Sequence, residues 1–207
     1  MRYMGLALLF ILAAWPAAAK PVQWPGGTMF MAGHDQDLDY FSATYSFTGK
    51  NSISTRTDYF RGDESFVGGL QLNHLVQRWN MPEAQANIYG KFGAGVASNQ
   101  ERKSGAIFGG VLADYETRRI FVSYENDLVY GGRVMSYAWH SARIGVAPYI
   151  SGYDDLHSWV MLQGDYRPRG RHDFSLTPLL RFFKTGWMVE VGATLRGDGM
   201  VNLMAQF

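Results

Sequence analysis

Apolar and polar residues alternate with a period of two along almost the whole chain. The clearest segment is 187–196, where the odd-numbered residues are apolar from Trp187 to Leu195 and the even-numbered ones include Glu190 and Arg196. Segment 201–207 repeats the pattern and ends on Phe207. Successive side chains of a strand point to opposite faces, so this alternation predicts strands with one apolar and one polar face.

Turn signals such as Gly131-Gly132 and Gly197-Asp198-Gly199 separate these segments. The predicted strands lie near residues 28–33, 38–47, 52–61, 66–78, 86–98, 105–116, 119–130, 135–149, 157–167, 173–183, 187–196 and 200–207. A closed antiparallel barrel with both termini on one side needs an even number of strands. Twelve strands are therefore predicted, and ten are the alternative if residues 28–33 form a plug or tail and one hairpin is misassigned. Because proline lacks an N–H, Pro178 predicts a local bulge or a break in the ladder.

A soluble β-sandwich would also alternate, but two features favour a membrane barrel. Aromatic residues cluster near the ends of the predicted strands, as the interfacial girdles of membrane proteins require: Tyr40, Tyr59, Tyr115, Tyr130, Tyr149, Trp159, Tyr166 and Trp187. The strands also follow one another by short hairpins, without a Greek-key return. The predicted fold is all-β, an antiparallel up-and-down transmembrane β-barrel.

Residues 1–19 have the features of a cleavable signal peptide: a basic start at Arg2, a short apolar run and small residues up to Ala19. Residues 20–207 then form a single barrel domain. Lys and Arg number 19 and Arg2 is one of them, so 18 basic and 18 acidic side chains remain. This balance gives no reason to expect nucleic acid as a partner. Disulfides are excluded because the chain has no cysteine.

The terminal segment 200–207, which alternates and ends on Phe207, resembles the last strand of bacterial outer-membrane β-barrel proteins, and the resemblance extends over the mature chain. It implies export to the outer membrane, periplasmic termini and contact with outer-membrane lipids and lipopolysaccharide. It also implies that Phe207 is a signal for the barrel-assembly machinery. The glycine common in that signal is absent, and Asn202 stands in its region. Neither a subfamily nor an oligomeric state is predicted.

The polar strand face would line the lumen, and it carries charges of both signs. The candidates are Arg56, Asp58, Lys91, Asp114, Arg119, Glu125, Asp127, Arg143, Asp165, Arg181, Glu190 and Arg196. They could pair with one another and fill a closed structural barrel. They could also line a narrow channel for small polar solutes. Bridging among Arg56, Glu125, Arg143 and Glu190 across the lumen would argue against the channel.

An outer-membrane lipid hydrolase that cleaves acyl esters is the alternative from another functional class. In such enzymes a His and a Ser act on one face of a strand, but His140 and Ser141 are adjacent and would point to opposite faces. No G-x-S-x-G, H-E-x-x-H or phosphate-binding loop is present. The sequence therefore favours a protein that is not an enzyme, without excluding one.

Met29, Met31 and His34 are candidate ligands for a soft metal such as copper, because thioether and imidazole groups suit it. The more ordinary interpretation is an apolar strand face followed by a polar loop. No cofactor is predicted.

Overall fold

The computed structural model describes residues 20–152, 154–168 and 170–207, so the predicted signal peptide lies outside the described residues. It contains twelve strands: β1 (Thr28–His34), β2 (Leu38–Ser46), β3 (Asn51–Phe60), β4 (Ser65–Met81), β5 (Ala84–Ser98), β6 (Lys103–Thr117), β7 (Ile120–Gly131), β8 (Met135–Val146), β9 (His157–Tyr166), β10 (Phe174–Lys184), β11 (Trp187–Ala193) and β12 (Gly199–Gln206). Each predicted strand is confirmed, with ends that differ by three residues or fewer.

The strands form a closed barrel in which each pairs with its neighbours in the sequence, and β1 pairs with β12. All ladders are antiparallel, so the up-and-down topology is confirmed and the ten-stranded alternative is wrong. At the closing seam, Thr28 and Phe207 exchange backbone hydrogen bonds of 2.9 and 2.8 Å. We call the end of the barrel at this pair the terminal mouth, and the other end the distal mouth. Within the described part of the chain, no helix is both long and apolar enough to cross a membrane.

Alternation separates an outer wall from a polar lumen. On β3, Ser54, Arg56 and Asp58 are buried inside, whereas Ile53 and Tyr59 are exposed outside. Exposed aromatic residues of the outer wall lie near both mouths, with Trp79, Tyr115 and Trp187 towards the terminal mouth and Tyr130, Tyr166 and Phe174 towards the distal one; Phe92 and Tyr124 are exposed nearer the middle of their strands.

Two of the predicted girdle aromatics are instead inside. The Tyr40 hydroxyl donates to Asn202 Oδ1 across 3.1 Å, and Trp159 is buried against Phe121. Both occupy lumen-facing positions of their strands, and a side chain there cannot reach the outer wall.

Pro178 does not produce a bulge. The β9–β10 register runs unbroken through it, opposite Leu162. The β10–β11 ladder, in contrast, stops at Leu179, the residue next to Pro178, so the predicted break in the ladder occurs on this side. A register shift occurs elsewhere, in the β4–β5 ladder between Leu75 and Gln77.

Candidate functional site

Charged side chains cross the lumen at mid-height; we call this set the lumen belt. It comprises Arg56, Asp58, Lys91, Glu125, Asp127, Arg143, Arg181 and Glu190. Arg56 donates to Asp127 through both terminal nitrogens, at 3.0 and 2.7 Å, and through Nε to Asp58 at 2.5 Å. Because Arg56 lies on β3 and Asp127 on β7, this bidentate pair joins two strands that have β4, β5 and β6 between them. The guanidinium also lies over the Phe108 ring, at 4.9 Å.

A second group in the belt centres on Glu190, which is 1% exposed. Its carboxylate accepts hydrogen bonds from Arg181 Nε at 2.6 Å, Arg143 at 2.9 Å and Asn202 Nδ2 at 2.8 Å. A buried charge is tolerated when its lone pairs are satisfied in this way.

The third group, Lys91 with Glu125, faces accessible space inside the barrel. Lys91 Nζ donates to Glu125 Oε1 at 2.5 Å, yet the Glu125 side chain remains 32% exposed. The Arg143 side chain nearby on β8 is 18% exposed. The lumen is therefore not uniformly filled, and on this side its carboxylate and guanidinium groups can contact water.

The predicted lumen charges are thus mostly brought together, but in separate groups. Of Arg56, Glu125, Arg143 and Glu190, the hydrogen bonds join only Arg143 to Glu190. Two further predicted residues are buried in the lumen and paired with neutral donors: Asp114 accepts from Asn87 at 2.7 Å, and Asp165 accepts from Trp139 at 2.9 Å.

Two predicted lumen residues lie elsewhere. Arg119 is in the exposed turn before β7, and Arg196 is in the exposed turn between β11 and β12. The prediction that Arg119 and Arg196 face the lumen was wrong. Apolar and polar residues still alternate in the sequence beyond the strand ends, but in the turns the side chains no longer point to alternate faces.

At the distal mouth, Arg167 and the β1–β2 turn make a charged cap. Arg167, just after β9, donates to Asp35 at 2.6 Å and to Asp37 at 3.1 Å in the β1–β2 turn. Its guanidinium also lies over the Trp139 ring at 5.2 Å. Burial works against this charge, but Tyr137 and Asp35 outweigh burial and raise the pKa of Arg167 above its ordinary value.

An apolar cluster inside the barrel lies next to this cap. It contains Leu38, Phe60, Val67, Ala97, Ala106, Phe108, Val129 and Met135. The cap and the cluster therefore lie together at the distal mouth. The Asp35-x-Asp37 spacing was the only sequence signal of the cap, and it gave no indication of the partner, 130 residues away from Asp37.

The terminal mouth holds a cavity of about 730 Å³. The residues before β1 and the β8–β9 loop bound it, and its wall includes Trp24, Tyr149 and Trp159. Val22 enters the barrel beside this cavity and packs, 2% exposed, against Leu75 and Tyr89.

Comparison with known proteins bears on the fold. No family model matches the chain, and no curated protein matches it. Among solved structures, a KdgM porin in complex with disordered oligogalacturonate is similar over 87% of this chain and 98% of that one, with a TM-score of 0.53 and 12% identity. A second KdgM porin structure covers the same shares, with a TM-score of 0.51 and 13% identity. LpxR from Salmonella typhimurium covers 87% of this chain and 99% of that one, with a TM-score of 0.43 and 7% identity.

The chain has the fold of an outer-membrane β-barrel. At these identities the likeness shows the architecture alone, which agrees with the resemblance seen in the terminal strand.

The candidate hydrolytic residues of this outer-membrane-type barrel lie on opposite sides of its wall. His140 faces outwards, where its Nδ1 is 2.8 Å from the Tyr124 hydroxyl, and its ring lies beside that of Tyr166. Ser141 faces the lumen and is buried. The β7–β8 ladder keeps its register through both residues, so no bulge brings them together.

The candidate metal ligands are also separated. Met29 is buried in the lumen with Phe183, Met188 and Met204, and Met31 packs against the same cluster. His34 is exposed at the other end of β1 and bonds to Asp39 at 2.6 Å. Met29, Met31 and His34 therefore do not form a common site, because alternation places His34 and the methionines on opposite faces. Among the described residues, no group of three or more His, Asp or Glu is placed to hold a metal ion.

Proposed function

We propose that the protein is a narrow channel for small polar solutes across the outer membrane. The observation that carries the proposal is the exposure of Glu125 and Arg143, at 32% and 18%, inside a closed barrel. Wall charges that remain accessible at mid-height would line a polar route through the belt, and rings of charged side chains are a usual basis of pore selectivity.

The charges of the belt bear on which solutes fit. Arg56, Arg143 and Arg181 each bond to a carboxylate of the lumen. An acidic chain such as the oligogalacturonate of the KdgM complex would need cations that are not already neutralised. The belt therefore favours small polar solutes over long acidic ones.

A closed structural barrel is the second candidate, and the distal mouth favours it. The contacts of Arg167 with Asp35 and Asp37, together with the apolar cluster beside them, obstruct that end. Under the channel proposal, the same cap is a gate that opens when these ion pairs break.

The remaining parts of the proposal follow from the membrane-barrel class. They are cleavage after Ala19, periplasmic termini, insertion by the barrel-assembly machinery through Phe207, and contact with outer-membrane lipids and lipopolysaccharide. The terminal mouth then faces the periplasm.

Planar bilayers provide the test. We expect the folded protein to give discrete conductance steps in KCl, and Arg167→Gln to raise the open probability by weakening the cap. Glu125→Gln should shift the reversal potential in a KCl gradient towards anions, since it leaves Lys91 without its carboxylate. Glu83→Gln, in the exposed β4–β5 turn, is the matched control and should not shift it.

Silence of correctly folded wild type and Arg167→Gln at all voltages would remove the channel and leave the closed barrel. Equal reversal potentials in wild type and Glu125→Gln would show that ions do not pass this part of the belt.

A further inference from the structure

Residues 20–23, which precede β1, cross the terminal mouth inside the barrel; we call them the strap. The strap is held along its whole length by the wall. The Pro21 carbonyl accepts a hydrogen bond of 2.5 Å from Ser52 on β3. Gln23 bonds through its backbone N to Ser46 on β2 and through its side chain to Gln206 on β12, each at 2.9 Å.

The Lys20 end of the strap is held by β5 and β6. Lys20 Nζ donates to Gln85 Oε1 on β5 at 2.5 Å and lies 3.7 Å from Glu116 Oε2 on β6. Between these anchors, Val22 fills an apolar pocket formed by Leu75, Tyr89 and Leu112. The strap therefore obstructs the β2–β6 side of the mouth.

The site that holds the Lys20 ammonium is a built feature of the wall. The Glu116 side chain is only 3% exposed, and its Oε2, which faces Lys20, has no hydrogen-bond partner. Asn87 donates to both Gln85 Oε1 and Asp114 Oδ1, which leaves a second carboxylate beside the site. A buried carboxylate is costly without a compensating cation, so this site favours a group with a positive charge and N–H donors.

We propose that this is a binding site for an ammonium group, occupied in the resting barrel by Lys20, and that the strap is an internal gate which an amine-bearing solute displaces. The inference deepens the proposed channel, because it names a solute class and a regulation of the same lumen. A solute with a primary amine offers Glu116 and Gln85 the same contacts that Lys20 does.

The surroundings allow the exchange. The 730 Å³ cavity lies directly beside the strap, with Lys20, Val22 and Gln23 in its wall, so a solute can approach and the strap can move aside. The 3.7 Å separation between Lys20 and Glu116 is longer than a hydrogen bond, so the internal cation leaves part of the acceptor capacity unused.

The test uses Lys20→Met, which removes the side-chain ammonium and keeps an apolar stem, with 1,4-diaminobutane as the probe and 1,4-butanediol as its uncharged counterpart. Lys184→Met, which removes an exposed lysine at the same mouth, is the control. By titration calorimetry of the folded proteins in micelles, we expect the diamine to bind Lys20→Met at least tenfold more tightly than wild type or Lys184→Met. Adding Glu116→Gln to Lys20→Met should abolish that gain, and the diol should bind none of them.

In bilayers, Lys20→Met should show a larger unitary conductance and a tighter block by diamine added on the side of the terminal mouth. Equal diamine affinities of wild type and Lys20→Met, or an affinity unaffected by Glu116→Gln, would overturn the inference. Because the calorimetry needs no current, diamine binding by a barrel that does not conduct would refute the channel and leave the ammonium site standing.

Discussion

Glu190 is the position at which the energetics of the lumen belt can be tested most directly. Its buried carboxylate accepts hydrogen bonds from Arg143, Arg181 and Asn202. Glu190→Gln keeps the size of the side chain and one acceptor oxygen but removes the charge. The new amide group would also place N–H donors against guanidinium donors.

Removing one partner from a buried ion pair costs about 3–5 kcal/mol, because the other charge stays buried without compensation. The two guanidinium groups differ in this respect. The Arg143 side chain is 18% exposed and also donates to Gln163, so it retains a partner and some water. The Arg181 side chain is 5% exposed and lies over the Phe121 ring, 4.8 Å from its centroid. We therefore expect a loss near the lower end of the range, about 3 kcal/mol.

Guanidinium titration of the refolded barrel in micelles, followed by tryptophan fluorescence, measures this loss. With a slope of roughly 2–6 kcal/mol per molar guanidinium, the expected midpoint shift is about 1 M. Glu101→Gln, in the exposed β5–β6 turn, is the control and should change stability by no more than about 0.5 kcal/mol. In a double-mutant cycle with Arg181→Gln, the second change should cost less in the Glu190→Gln background than alone. A midpoint equal to that of Glu101→Gln would refute the reasoning, since it would mean that water compensates both guanidinium groups.

Three further predictions concern the wall and its ends. A Cβ at Gly110 would lie 1.9 Å from the Asn126 carbonyl oxygen, whereas a Cβ at Gly105 on the same strand meets nothing within 4 Å. Gly110→Ala should therefore destabilise the barrel by about 1–3 kcal/mol in the same guanidinium titration. Gly105→Ala is the control and should not destabilise it. Phe207→Ala should lower the amount of folded barrel in outer membranes, judged by heat-modifiable gel migration, while Leu195→Ala in an exposed turn leaves it unchanged; equal yields would show that Phe207 is not the assembly signal. The purified protein should release no fatty acid from phospholipid or lipopolysaccharide, because His140 and Ser141 face opposite ways; release that His140→Ala abolishes would contradict this.

The strands could be predicted from sequence because alternation is a local property. In β3 and β11, the polarity of each residue indicates which face of the sheet it lies on. The lumen-facing positions of Arg56 and Glu190 could therefore be predicted from the apolar residues beside them. Arg196 shows where this reasoning stops. Arg196 is even-numbered, like the lumen-facing residues of β11, so the alternation predicts that it faces the lumen. However, β11 ends at Ala193, and Arg196 lies in an exposed turn.

Partners across the lumen could not be predicted in the same way. Arg56 and Asp127 are 71 residues apart, and their contact depends on the closure and stagger of all twelve strands. Local pattern carries no information on that stagger. The strap was missed because it is an irregular segment without a period to detect. The cap was missed because Arg167 stands at the end of the predicted strand 157–167 and its partners Asp35 and Asp37 lie in a turn.

The distinction between regular and irregular segments also bears on where the barrel can open. The backbones of the belt residues are fixed by ladders on both sides, so widening the barrel at mid-height would break many backbone hydrogen bonds at once. The cap and the strap depend instead on a few side-chain contacts, such as Arg167 with Asp35 and Lys20 with Glu116. Opening at the mouths thus requires far fewer interactions to break than opening in the middle. A channel in this barrel would therefore keep its belt in place, pass solutes on the side of Glu125 and Arg143, and be gated at its two ends.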